Sequence, residues 1–226
     1  MPKLSQIKGI IFDLDGVLID SEELHYLAWV KVLKPLGLNF SKKENFNYAG
    51  KQIDITAGEL LEKYNLNVAK EKLVKQRRKI IIEYLKNSDV KLMPYARWAV
   101  KFFVKKNGTK LGLASGSVKE MIILKLKKAG LYSFFTAIVA GDDIKRGKPY
   151  PDSYLLAAKK LKLKPEECLA IEDTQYGCES AKSAGLFCFA IPNKYSRKQN
   201  FSKTDKVFKD LEKAINYIKS KNLCLI

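Results

Sequence analysis

Short apolar runs alternate with helically spaced apolar residues along most of the chain. Residues 8–13 (KGIIFD) are one such run, closed almost at once by Gly16, and they predict a buried parallel strand. From Ser21 to about Leu36 the period changes: Leu24, Leu27, Ala28, Val32 and Leu36 recur at helical spacing. Ser21 is the expected N-cap, Glu22 and Glu23 sit in the favourable first turn, and Gly37 ends the helix. Ser41 followed by Glu44 is a capping-box pattern for a further short helix. Residues 52–64 and 69–86 read as two more helices, and no strand pattern interrupts 18–88.

Met93-Pro94 marks a break, after which strands and helices alternate. Helices are predicted at 95–106, 117–129, 151–161, 175–184 and 210–220. Strands are predicted at 110–114, 137–140, 168–171, 187–191 and near 206–208. Ser117 with Glu120 reads as a second capping box. Alternation of this kind means an α/β fold with a mostly parallel sheet. The expected organisation is an α/β core of residues 1–17 plus 90–226, split after its first strand by an all-helical insert, 18–89.

Composition narrows the picture. The chain has 226 residues, 46% of them hydrophobic, which suffices for a core and excludes a disordered chain. No stretch approaches the roughly 20 apolar residues of a membrane helix, and Met1-Pro2-Lys3 opens no secretory pattern. The formal charge is +18, yet only five of the 42 basic residues are arginine. Arginine is the side chain favoured for bidentate contact with phosphate and guanine, so a lysine surplus points to solvated helix faces, as in Lys125-Leu126-Lys127-Lys128 and Lys159-Lys160-Leu161-Lys162. Nucleic acid is not expected as a partner. Cys168, Cys178, Cys188 and Cys224 form no C-x-x-C pair and lie far from the single histidine, His25, which argues against zinc. Cys224 is third from the end, not fourth as a prenylation box requires. A reduced, cytoplasmic monomer is the expected setting.

Ligands of such a sheet bind beyond the carboxyl ends of its strands. Polar clusters fall there: Asp13-Leu14-Asp15-Gly16, Ser115-Gly116-Ser117, Gly147-Lys148-Pro149-Tyr150-Pro151-Asp152, and Glu172-Asp173-Thr174. Each alone reads equally well as a turn or a cap. Together they gather carboxylates that would repel one another without a cation, and open carboxylate oxygens suit Mg²⁺.

The order and spacing of FDLDG (12–16), LASGS (113–117), GKPYPD (147–152) and IEDTQYG (171–177) resemble the haloacid dehalogenase superfamily of phosphotransferases. GVLIDSEELH (16–25) is similar to the branch of β-phosphoglucomutase and small phosphatases, with a helical cap inserted after the first strand. The resemblance implies a Rossmann-like core and an aspartyl-phosphate mechanism. Asp13 would be the nucleophile and Asp15 the general acid and base. Mg²⁺ would bind the Asp13 carboxylate, the Asp15 carbonyl and Asp173, with Glu172 as a further ligand or outer acid. Ser115 and the Gly116 amide would hold phosphoryl oxygens, and Lys148 would offset charge in the transition state. Dehalogenases of the superfamily lack an acid two residues after the nucleophile, so Asp15 favours phosphoryl transfer.

The insert would exclude water and read the leaving group, with His25, Trp29, Lys51 and Gln52 as its candidate residues. Trp29 also reads as plain insert core. β-Phosphoglucomutases grip a second phosphate with an arginine just downstream. Here that stretch reads Lys51-Gln52-Ile53-Asp54. The departure favours a Mg²⁺-dependent phosphatase of a small phosphorylated metabolite over a sugar-phosphate mutase. A non-catalytic, lysine-rich nucleic-acid-binding module is the remote third reading.

Overall fold

Gly9–Phe12 (β1) is buried at every position because it lies mid-sheet in the computed structural model, which describes residues 6–48, 50–105 and 108–221. Lys110–Ala114 (β2) pairs with it on one side and Cys168–Glu172 (β4) on the other, so that Gly9 stands opposite both Lys110 and Cys168. Ala137–Val139 (β3) continues past β2, while Phe187–Ala190 (β5) and Lys206–Val207 (β6) continue past β4. The order is β3-β2-β1-β4-β5-β6, all parallel. The chain winds outward one way from β1 and then the other way from β4. A crevice therefore opens beyond the carboxyl ends of β1 and β4, and Asp13 and Asp173 are the residues that follow those ends.

Between β1 and β2 the chain forms Glu22–Leu33 (α1), Lys42–Asn45 (α2), Ile53–Lys63 (α3) and Lys70–Asn87 (α4). Trp29, Val32, Leu33, Phe40, Ala57, Leu60, Leu73 and Val74 give these helices an apolar core of their own. Helices cover both faces of the sheet. Ala96–Val104 (α5), Lys119–Lys128 (α6) and Leu211–Ser220 (α9) share a core with Phe12, whereas Asp152–Leu161 (α7) and Gln175–Ser183 (α8) share one with Ile11. The opposite destinations of Ile11 and Phe12 follow from strand alternation. Leu24, Ala28, Ile81 and Leu85 form a cluster with Met121, which seats the helical block on α6.

Three local expectations need correction. Ser21 stands at the N-cap of α1 but makes no capping bond; its hydroxyl donates to Asp15 Oδ1. Helix α6 starts at Lys119, and Ser117 makes no capping box with Glu120 but donates to Asp15 Oδ2 at 2.9 Å. Both serines meet a carboxylate, and a charge-assisted bond outweighs a neutral one. Lys125, read with its neighbours as a solvated face, is fully buried. The Ser41 cap does form, accepting from the Glu44 amide at 3.1 Å. Cys224 lies outside the described residues.

Candidate active site

Lys148 joins three strand ends. Its ammonium donates to Asp13 Oδ1 at 2.6 Å, to Glu172 Oε1 at 2.5 Å and to the Ala114 carbonyl at 3.0 Å. Three donors on a tetrahedral ammonium find three acceptors, which fixes the head group in space. Despite the cost of burial, Asp13 and Glu172 hold its pKa above the ordinary lysine range. Burial is also the main force on Asp13, pushing its carboxyl up to about 8 against the pull of Lys148, with Glu172 and Asp15 adding to the rise.

Glu172 has every oxygen committed. Oε1 accepts from Lys148 and from the Tyr154 hydroxyl at 3.0 Å. Oε2 accepts from the amides of Asp173 at 2.9 Å and Thr174 at 3.2 Å, and from Thr174 Oγ1 at 3.2 Å. Gly177, in the first turn of α8, makes room for this carboxylate: a Cβ there would stand 1.9 Å from Oε1. Gly177→Ala is therefore expected to displace Glu172 and loosen Lys148. Soluble yield, melting temperature and turnover should all fall; a variant with native melting and native turnover would contradict this geometry.

Asp173 lies beside Gly16, whose φ of +84° few side-chain-bearing residues adopt and whose Cβ would stand 2.2 Å from Asp173 Oδ2. Asn193 Nδ2 donates to that same oxygen at 2.7 Å. Burial, then Glu172 and Asp13, push the Asp173 carboxyl well above the ordinary range. Among the described residues no three His, Cys, Asp or Glu side chains form a ready cage for a metal. The Asp13 and Asp173 carboxylates with the Asp15 carbonyl are all hard oxygen donors, and Mg²⁺ ordinarily takes one or two carboxylates and keeps waters. A divalent cation would also offset the burial and the neighbouring carboxylates that raise both carboxyls. These residues fit the ion.

Asp15 is surrounded by donors instead. Ser21 and Lys125 donate to Oδ1, Ser117 to Oδ2, and His25 Nε2 lies 3.6 Å from Oδ1. Against the upward push of burial, Lys125 and His25 hold this carboxyl well below the usual range. Burial and then Lys125 lower His25 to about 4. Arg77 Nη2 lies 3.0 Å from His25 Nδ1; since arginine only donates, Nδ1 accepts and the ring proton sits on Nε2, facing Asp15.

A cavity of about 430 Å³ lies over these groups, walled by Asp13, Asp15, Ser115, Gly116, Lys148 and Asp173 from the sheet side. His25, Lys51, Gln52 and Arg77 wall it from the helical block. Ser115 is buried, and its hydroxyl accepts from the Ser117 amide at 3.1 Å. Space beside Gly116 is open, for a Cβ there would meet nothing within 4 Å. Gln52 Nε2 donates to the Lys148 carbonyl at 3.2 Å, tying the block to the sheet side. Lys51 reaches the cavity wall, but both Glu59 oxygens accept from it, at 2.8 and 2.7 Å. Trp29 belongs to the core of the block and also lines the cavity, with the Arg77 guanidinium 4.7 Å from its ring centre.

The sequence reading missed Lys125, Arg77, Tyr154 and Asn193. One signal for Lys125 was present. It falls four residues after Met121 and beside Leu126, on the apolar stripe of α6, where a solvated lysine has no place.

Known proteins share this architecture. The family described as haloacid dehalogenase-like hydrolase matches residues 10–191. A phosphorylated carbohydrates phosphatase of Thermotoga maritima is 32% identical over 184 residues, 80% of this chain and 82% of that protein. A beta-phosphoglucomutase of Bacillus subtilis is 32% identical over 193 residues, 82% of this chain and 83% of that protein. The crystal structure of beta-phosphoglucomutase from Clostridium difficile matches with a TM-score of 0.82 at 27% identity, over 95% of this chain and 96% of that one.

Proposed function

The chain belongs to the haloacid dehalogenase-like hydrolase family, and on that premise we propose that it is a Mg²⁺-dependent phosphomonoester hydrolase of small phosphorylated metabolites, sugar phosphates above all. It is an enzyme of that superfamily, so the reading as a non-catalytic binding module falls away. The observation that carries the proposal is the Lys148 head group, held between Asp13, Glu172 and the Ala114 carbonyl at the floor of the cavity.

Asp13 attacks phosphorus in line with the leaving oxygen. The new bond joins an Asp13 oxygen to phosphorus, and the bond to the leaving oxygen breaks with its electron pair going to that oxygen. Asp15, protonated for this step against the pull of Lys125 and His25 on its carboxyl, supplies the proton it needs. Asp15 then takes a proton from water as the water oxygen attacks phosphorus, and the Asp13 carboxylate departs. Lys148 faces the charge that develops between Asp13 and the phosphoryl group. Ser115 and the Gly116 amide hold phosphoryl oxygens ahead of α6, whose N-terminus favours anions. Mg²⁺, held by Asp13, Asp173 and the Asp15 carbonyl, would supply charge neutralisation between substrate and nucleophile. Glu172 works from behind, orienting Lys148 and the turn into α8, which favours the outer acid of its two expected roles.

Residues 18–89 act as the cap in this proposal. His25 and Gln52 face the leaving group, and the rest of the chain forms the core. Lys51 is neutralised by Glu59, which supports hydrolysis over the gripping of a second phosphate that a mutase needs. No helix among the described residues is long and apolar enough to cross a membrane, and the three described cysteines are free and buried, which supports a reducing cytoplasmic setting.

A screen of phosphorylated metabolites with and without Mg²⁺ tests the proposal. Release of phosphate from at least one sugar phosphate is expected, lost on chelation with EDTA and restored by Mg²⁺. No metal-dependent release from any ester would refute it. Glucose 1-phosphate given with its bisphosphate separates the mutase reading, which requires isomer interconversion with little free phosphate.

A further inference from the structure

Lys125 is a fully buried lysine that the proposed chemistry leaves without a task. It lies on the face of α6 that carries Met121, Ile122 and Leu126, all of them buried. A buried ammonium is costly unless paired, and its ion-pair partner is the Asp15 carboxylate. We propose that Lys125 is a positioning residue, one that fixes the Asp15 carboxylate relative to the phosphoryl site.

The four groups around Asp15 divide by origin. Ser21 and His25 come from the start of the helical block, whereas Lys125 and Ser117 come from the sheet side, on α6 and the loop that leads into it. The two sheet-side donors take one oxygen each, Lys125 on Oδ1 and Ser117 on Oδ2. A carboxylate held at both oxygens has its plane and its direction set. Ser115, Gly116 and Ser117 belong to the loop that runs into this same helix, so α6 carries the proposed phosphoryl cradle at one end and the tether of the acid further along. The acid is then tied to α6 and to the loop that bears the phosphoryl cradle, by contacts separate from the two that the helical block supplies. Geometry of this kind matters because a misplacement of about 1 Å costs on the order of 10²-fold in rate.

The inference rests on the assignment of Asp15 as general acid, and a leaving-group comparison tests the two separately. Lys125→Met keeps the length and apolar stem of the side chain and removes its head. For a sugar phosphate, whose alkoxide needs a proton as it leaves, kcat/KM is expected to fall by about 10²-fold. For p-nitrophenyl phosphate, whose leaving group needs none, the expected fall is less than about fivefold. kcat/KM reports the steps up to release of the leaving group, so slow hydrolysis of the phosphoenzyme does not blur the comparison. Lys125→Gln, which keeps a neutral donor of shorter reach, should show the same selectivity to a smaller degree and serves if the methionine variant does not fold. Equal losses on both esters would mark Lys125 as merely structural and overturn the inference, as would unchanged kinetics or faster turnover of the sugar phosphate. Asp15→Asn is the control. If it shows leaving-group selectivity and the Lys125 variants do not, only this inference fails. If it shows none, the acid–base assignment fails and takes the inference with it.

Discussion

Asp13→Asn is expected to fold as the wild type does and to release no measurable phosphate. The loss should be on the order of 10⁴-fold or more, because a nucleophile that forms the covalent intermediate has no substitute in the site. Stability should behave differently. Asp13, Glu172 and Asp173 are all buried at the strand ends. Replacing one of them by an amide of the same size removes repulsion from the group, while Lys148 keeps Glu172 as its partner. Metal-free Asp13→Asn should therefore melt no lower than wild type. Circular dichroism on heating, beside a phosphate-release assay, checks both halves. Retained turnover would refute the nucleophile assignment.

Lys148→Met should also lose turnover, by about 10²-fold or more, and its stability should move the opposite way. Removing the ammonium leaves Asp13 and Glu172 facing each other across a space that both now share without a counter-charge. Breaking a buried ion pair on one side costs about 3–5 kcal/mol. In a chain of this size that lowers the melting temperature by on the order of 10 °C. The contrast is the informative part: two variants on either side of one 2.6 Å contact, both inactive, one stable and one not. Equal melting temperatures would mean that Lys148 carries less of the charge balance than its geometry implies.

The strand ends were legible because a buried parallel strand is an apolar run, and the first polar residue after it must point into the crevice. Asp13 after Gly9–Phe12 and Ser115 after Lys110–Ala114 follow that rule, as does Asp173 after Cys168–Glu172. Lys148 was legible only by its neighbours in GKPYPD, since nothing local separates it from the other lysines. Ser21 and Ser117 show where local reading fails. A serine before a helix with a glutamate nearby fits a cap and a carboxylate partner equally, and only the fold brings Asp15 within reach. Lys125 was hidden by its company, two exposed lysines at 127 and 128. Arg77 sits in the run Lys75-Gln76-Arg77-Arg78-Lys79, where only the packing of α1 on α4 buries one of five polar residues. Glu172 reads in the sequence as either a metal ligand or an outer acid, because the donors that occupy its oxygens come from α7, from the turn after β4 and from Lys148, and only the fold brings them together.

The central claim is that Asp13 carries the phosphoryl group. Wild-type enzyme turning over a sugar phosphate with Mg²⁺, quenched in acid and reduced with borohydride, gives the direct test. An acyl phosphate on Asp13 would be reduced to homoserine, and peptide mass spectrometry should find that residue at position 13 only when substrate was present. Steady turnover with Asp13 unmodified, or with the phosphoryl group on another side chain such as Ser115, would contradict the account.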